Sequence, residues 1–176
     1  STDNSIEIFK KLGVHAKQEI INPWRFDVAR NKSLDMVPED TDICVCTDLD
    51  EVFESGWRQK LEELWQEDTS KLKYNYNWSF DEYGNPSTTF YISKIHKRLG
   101  YEWVHPVHEV LNVIPGEVEV ITKEITLNHY PDHEKSRGSY LPLLELSVKE
   151  NPENGEGTIW RSSGFCRSME RLPGQN

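Results

Sequence analysis

The sequence predicts an α/β fold, a mixed sheet flanked by helices and closed by a C-terminal helix. Three observations predict it. A short apolar run, Ile43-Cys44-Val45-Cys46, ends abruptly in the acids Asp48, Asp50 and Glu51. Residues 71–80 and 88–99 alternate polar and apolar side chains around the turn cluster Asp81-Glu82-Tyr83-Gly84-Asn85-Pro86, as a hairpin does. Apolar side chains at helical spacing recur in residues 57–65 and 136–149.

The elements follow in order. Asp3 or Asn4 is suited to cap a helix carrying Ile6, Phe9 and Leu12, and Gly13 suits its end. Residues 15–21 read as a short strand. Residues 26–37 read as a helix that stops before Pro38. Residues 43–47 form the strand feeding the acids. Ser55 is placed to cap a helix that presents Trp57, Leu61, Leu64 and Trp65 on one face and ends near Asp68. After the hairpin, residues 118–129 supply one or two further strands. The last helix, residues 136–149, carries Leu141, Leu144 and Val148, with Pro142 either in its first turn or kinking it. Residues 151–176 lack periodicity and read as a poorly ordered tail, so residues 1–150 are the expected domain.

Composition narrows the function. A net charge of -10 argues against nucleic acid or an anionic membrane as a direct partner. The odd total of three cysteines, Cys44, Cys46 and Cys166, argues against a disulfide framework. Free buried thiols fit a reducing compartment, so the expected location is cytoplasmic, the cytoplasmic membrane face included. No apolar run approaches the roughly 18 residues that span a bilayer.

The chemistry concentrates where the first buried strand ends. Ligands of open α/β sheets bind outside the carboxyl ends of strands. Two carboxylates one residue apart do not both ionise cheaply without a cation between them. Hard oxygen ligands select Mg2+ or Mn2+, and Mg2+ commonly takes one or two carboxylates plus substrate phosphates. Asp48 and Asp50 are therefore the candidate ligands of a metal–diphosphate site, with a solvated helix-capping turn as the plainer reading.

Asp48-Leu49-Asp50 resembles the Asp-x-Asp motif of the family 2 glycosyltransferases, which have the GT-A fold. Three more segments are similar to that family in the same order. They are Ser1-Thr2-Asp3-Asn4-Ser5 with the helix after it, Ala29-Arg30-Asn31-Lys32-Ser33-Leu34, and Val107-His108-Glu109-Val110-Leu111. The resemblance implies a Rossmann-like GT-A domain over residues 1–150. It implies transfer of a sugar, with inversion, from a nucleotide diphosphate-sugar donor to a saccharide or other hydroxyl acceptor. It implies Glu109 as catalytic base, Arg30 near the donor with Asp48 and Asp50, and His129 completing a Mn2+ or Mg2+ site.

Each role has a rival. Glu109 also reads as a surface acid, Arg30 as the partner of an acid such as Asp27, His129 as a structural histidine, and Glu51 as a helper or structural acid. Pro106 inside His105-Pro106-Val107-His108 breaks the helical His-Glu-x-x-His pattern of zinc sites. Trp24, Tyr74, Tyr76, Trp78 and Trp103 offer rings to a sugar or to the core. In the resembled family two strands and an acidic turn precede the first helix, so the resemblance implies a domain lacking those nucleotide-binding strands. The alternative function is then a catalytically silent interaction or scaffold module.

Overall fold

A computed structural model describes residues 4–131 and 140–151. The tail expected at residues 151–176 lies outside the described residues except for Asn151, as do residues 136–139 of the last helix. Along the chain run α1 (Ser5–Lys11), α2 (Phe26–Asp35), β1 (Ile43–Val45), β2 (Glu51–Phe53) and α3 (Trp57–Leu64). They are followed by β3 (Lys71–Phe80), β4 (Pro86–Lys97), β5 (Trp103–Val104), β6 (Val110–Leu111), β7 (Glu119–His129) and α4 (Tyr140–Glu150). The architecture is mixed α/β.

Strand β3 is the centre of the molecule. Its alternation drives Leu72, Tyr74 and Tyr76 inward, because successive strand side chains point to opposite faces. It pairs antiparallel with β4 and parallel with β7, giving the mixed order β1-β4-β3-β7-β2. Leu61 of α3, Ile95 of β4, and Ile125 and Leu127 of β7 complete the core around it. Trp57 stacks on Phe53 at 4.4 Å between centroids and ties α3 to β2. A second cluster, Tyr101, Trp103 and Leu111 with Cys46 and Ile114, packs about the β5–β6 pair.

Several expectations are corrected. Residues 15–21 form no strand: they are exposed or half-buried coil, and among the described residues no strand pairs with them. The α3 N-cap is Gly56 rather than Ser55, because the chain enters the helix at φ 82, where a residue without Cβ is unstrained. The same helix stops at Leu64, not near Asp68, and α2 stops at Asp35. In α4 the buried side chain is Leu143, whereas Leu141 and Val148 are exposed. The strand that feeds the acids is shorter than expected and lies at an edge of the sheet as described, paired only with β4. Residues 118–129 make one strand, and residues 71–97 make the expected hairpin.

Candidate functional site

Four separate stretches bring ionisable side chains to the two sides of the β1–β2 turn. Helix α2 supplies Arg30, the turn between β1 and β2 supplies Asp48, Asp50 and Glu51, the loop before β6 supplies Glu109, and the end of β7 supplies His129. The chain is 79 residues long between Arg30 and Glu109, yet Arg30 Nε donates to Glu109 Oε1 at 2.9 Å. Arg30 Nη2 donates to Asp48 Oδ2 at 2.8 Å.

Local structure explains why Arg30 points there. The neighbouring Asn31 behaves like a strand partner for β5: its Nδ2 donates to the Trp103 carbonyl, and the Trp103 N–H donates to its Oδ1, both at 2.8 Å. The Phe26 N–H donates to the Pro106 carbonyl at 3.0 Å. These bonds dock α2 on the segment that carries Glu109, and the Arg30 guanidinium lies over the Trp103 ring. Asp27, the alternative partner weighed for Arg30, is taken instead by Arg25, with Nη2 2.7 Å from Oδ2. Burial disfavours the Arg30 charge, but Asp48 and Glu109 overcome that and hold it protonated more firmly than usual.

The β1–β2 turn is braced from beneath. The Glu51 side chain is 1% exposed, and both its oxygens are engaged. Oε2 accepts the Asp48 N–H at 2.8 Å, while Oε1 accepts the Tyr76 hydroxyl at 2.7 Å and Lys94 Nζ at 2.6 Å. Glu51 is thus a structural acid, fully paired as a buried carboxylate must be. Lys94 Nζ also reaches Asp48 Oδ2 at 3.2 Å. Burial raises the Asp48 pKa, but Lys94 and Arg30 outweigh it, leaving Asp48 below the ordinary carboxylate value. The neighbouring Cys46 thiol is pushed up to about 11 by burial, which keeps it unreactive.

Asp50 faces the other way. Its carbonyl accepts the Tyr130 N–H, and Glu51 pairs with His129 across β2 and β7. His129 Nδ1 lies 3.1 Å from the Trp78 carbonyl, which only accepts, so Nδ1 carries a hydrogen. The ring stacks on Trp78 at 4.3 Å, and Nε2 sits 3.6 Å from Asp50 Oδ2, beyond hydrogen-bond length. An imidazole oriented through its other nitrogen is the usual form of a metal-binding histidine. Asp50 and His129 are the two residues placed so that they could hold a divalent cation. Asp48 does not fit in this arrangement, because its carboxylate is occupied by two cations. Among the described residues no group of three or more His, Cys, Asp or Glu is arranged to hold a metal ion.

Glu109 lies in a tight loop. His105 and His108 both take positive φ, 81 and 53, in the left-handed region that disfavours side chains with a Cβ. Buried Pro106 and Val107 anchor the loop between them. Of the five aromatic residues considered, Tyr74, Tyr76 and Trp103 are buried, Trp78 covers His129, and Trp24 is exposed. Sequence reasoning missed Lys94 and Asn31. The pattern Ala-Arg-Asn pointed to Asn31's segment, and a lysine in an apolar strand was the available signal for Lys94.

No protein-family model matches the chain, and no curated protein matches it. Among the described residues no helix is long and apolar enough to cross a membrane.

Proposed function

We propose that this site is that of an inverting, nucleotide-sugar-dependent glycosyltransferase with GT-A-like architecture. The observation that carries the reading is that Arg30 joins Asp48 and Glu109, from distant stretches of sequence, in one ion-paired group, while Asp50 of the same turn lies beside His129. These are residues that the resemblance singles out, and Arg30 and Glu109 meet across 79 positions of sequence.

Arg30 binds the donor's diphosphate through its planar pair of donors. Asp50 and His129 would hold a Mn2+ or Mg2+ ion, which would supply positive charge against the negative charge developing on the departing diphosphate. Glu109 uses Oε1 for Arg30, and Oε2 accepts the acceptor hydroxyl. As the acceptor oxygen attacks the anomeric carbon, its proton passes to Glu109 and the bond to the diphosphate oxygen breaks. One displacement inverts the anomeric centre.

The test is the release of nucleoside diphosphate from a panel of nucleotide-sugars with Mn2+ and a sugar acceptor. Glu109→Gln should lower turnover by about 100-fold or more while leaving donor affinity within a few-fold. Unchanged turnover removes Glu109 as the base, and no release from any donor removes the reading. A second reading, a silent interaction module, is favoured by one observation. Helix α1 buries none of its residues, and Ile8, Leu12, Val14, Ile20 and Trp24 are all exposed.

A further inference from the structure

Asp48 is the exposed member of an otherwise enclosed group. Its side chain is 47% exposed, while the two cations that meet at its Oδ2, Arg30 and Lys94, are 16% and 9% exposed. A single carboxylate oxygen, open to solvent on its far side, thus satisfies two cations that are largely withdrawn from water. Lys94 has no role in the reading above.

We propose that Lys94 and Arg30 form a two-cation cradle for the diphosphate of a phosphorylated ligand, and that the Asp48 carboxylate is its internal stand-in. The assignment rests on the diphosphate-sugar reading of the site and adds to it a binding residue and an exchange. A phosphate oxygen arriving over the β1–β2 turn takes the place of Asp48 Oδ2 between the two cations. Asp48 swings out, free to join Asp50 and His129 at the cation. The two events are coupled, because without a replacement for Asp48 two largely buried cations would share only Glu51 and Glu109 as close anions. This exchange explains how one Asp-x-Asp motif holds its first carboxylate on cations and its second on a histidine.

The geometry suits Lys94 to the task. Glu51 Oε1 holds Nζ at 2.6 Å, and the ammonium lies 5.7 Å from the Tyr76 ring centroid, so two contacts remain when Asp48 leaves. Its position comes from an irregularity in the β3–β4 ladder. Leu72 faces Ile95 and Tyr74 faces Ile92, so Lys73 opposes two residues, Ser93 and Lys94. Such a bulge re-aims a side chain. The anions that face the cradle are Asp48, Glu51 and Glu109, so a bare phosphate meets repulsion that Mn2+ relieves.

Inorganic pyrophosphate with Mn2+, titrated calorimetrically, is the probe, because it carries neither sugar nor base. Lys94→Met alone strands the buried Glu51 carboxylate and endangers folding. The comparison is therefore Glu51→Gln against Glu51→Gln with Lys94→Met, in which the turn keeps an acceptor for the Asp48 N–H. Lys94→Arg provides the conservative rescue, and circular dichroism checks each fold. The double variant should bind pyrophosphate about tenfold or more weakly than Glu51→Gln, in line with the loss of a charge-assisted hydrogen bond. Lys94→Arg should stay within a few-fold of wild type. Equal affinity of the single and double variants, or no pyrophosphate binding by the wild type, overturns the cradle. Sugar transfer is absent from this readout. Failure of the glycosyltransferase reading in the Glu109→Gln assay is therefore seen separately from failure here.

Discussion

His96 shows how a single buried residue sets a response to pH. It is fully enclosed, its Nδ1 donates to the Lys97 carbonyl at 2.7 Å, and its Nε2 faces Cys46 Sγ at 3.8 Å. Burial lowers its pKa below the ordinary 6.5, with Arg98 adding repulsion, although the Lys97 carbonyl works the other way. The folded state then binds fewer protons than the unfolded chain below that value. Stability is complete above about pH 6.5 and is lost as pH falls. His105 is lowered by burial in the same direction. The carboxyls of Asp27 and Asp48 are also lowered, but their contribution is lost only in a lower window, below the ordinary carboxyl value of 3.8. The melting temperature should therefore drop between pH 7.5 and 5.5, and His96→Asn should flatten that slope while lowering the whole curve. A slope unchanged in the variant would move the effect to His105.

At the scale of elements, the site depends on how α2 is docked. Asn31 holds both the N–H and the carbonyl of Trp103, and it stands one residue from Arg30. Asn31→Ala leaves two partly buried backbone groups without partners, which costs about 1–3 kcal/mol. Urea denaturation should show that loss, and pyrophosphate affinity should fall with it because Arg30 is no longer aimed. A stability loss with unchanged affinity would show that the Arg30 pairs alone orient the guanidinium. The turn between β1 and β2 is held differently. It is fixed by the buried Glu51–Lys94–Tyr76 group, which makes the turn rigid on the protein side while its outer carboxylates face solvent.

At the scale of the whole molecule, stability is concentrated in the layers around β3. Leu72 and Ile95 are fully buried, whereas α1 contributes no buried residue. Leu72→Ala should lower unfolding free energy by about 2–5 kcal/mol, the range for a large-to-small change in a core. Leu12→Lys should change it by no more than about 0.5 kcal/mol, as an exposed substitution does. Chemical denaturation of both variants checks the contrast, and a large loss in Leu12→Lys would show that α1 is covered in solution. The site sits at the margin of this stable sheet, so its residues draw on a rigid frame without belonging to the core.

Local pattern determined the hairpin at 71–97, the strand beginning at Ile43, the helix at Trp57 and the inward set of β3, because alternation and helical spacing are local signals of burial. The residues of the candidate site were legible as motifs one at a time. Their meeting was not, since Arg30 reaches Glu109 only once Asn31 has docked α2 on Trp103. Lys94 was hidden for a related reason. Strict alternation places it in phase with Phe90 and Ile92, and only the bulge opposite Lys73 turns it toward Glu51 and Asp48. The failed strand at 15–21 makes the converse point: a strand-like composition forms no strand without a neighbour to accept its hydrogen bonds. Periodicity decides which way a residue tends to face. Which charges then share a site is decided by packing across long loops, where a one-residue change of register re-aims every side chain beyond it.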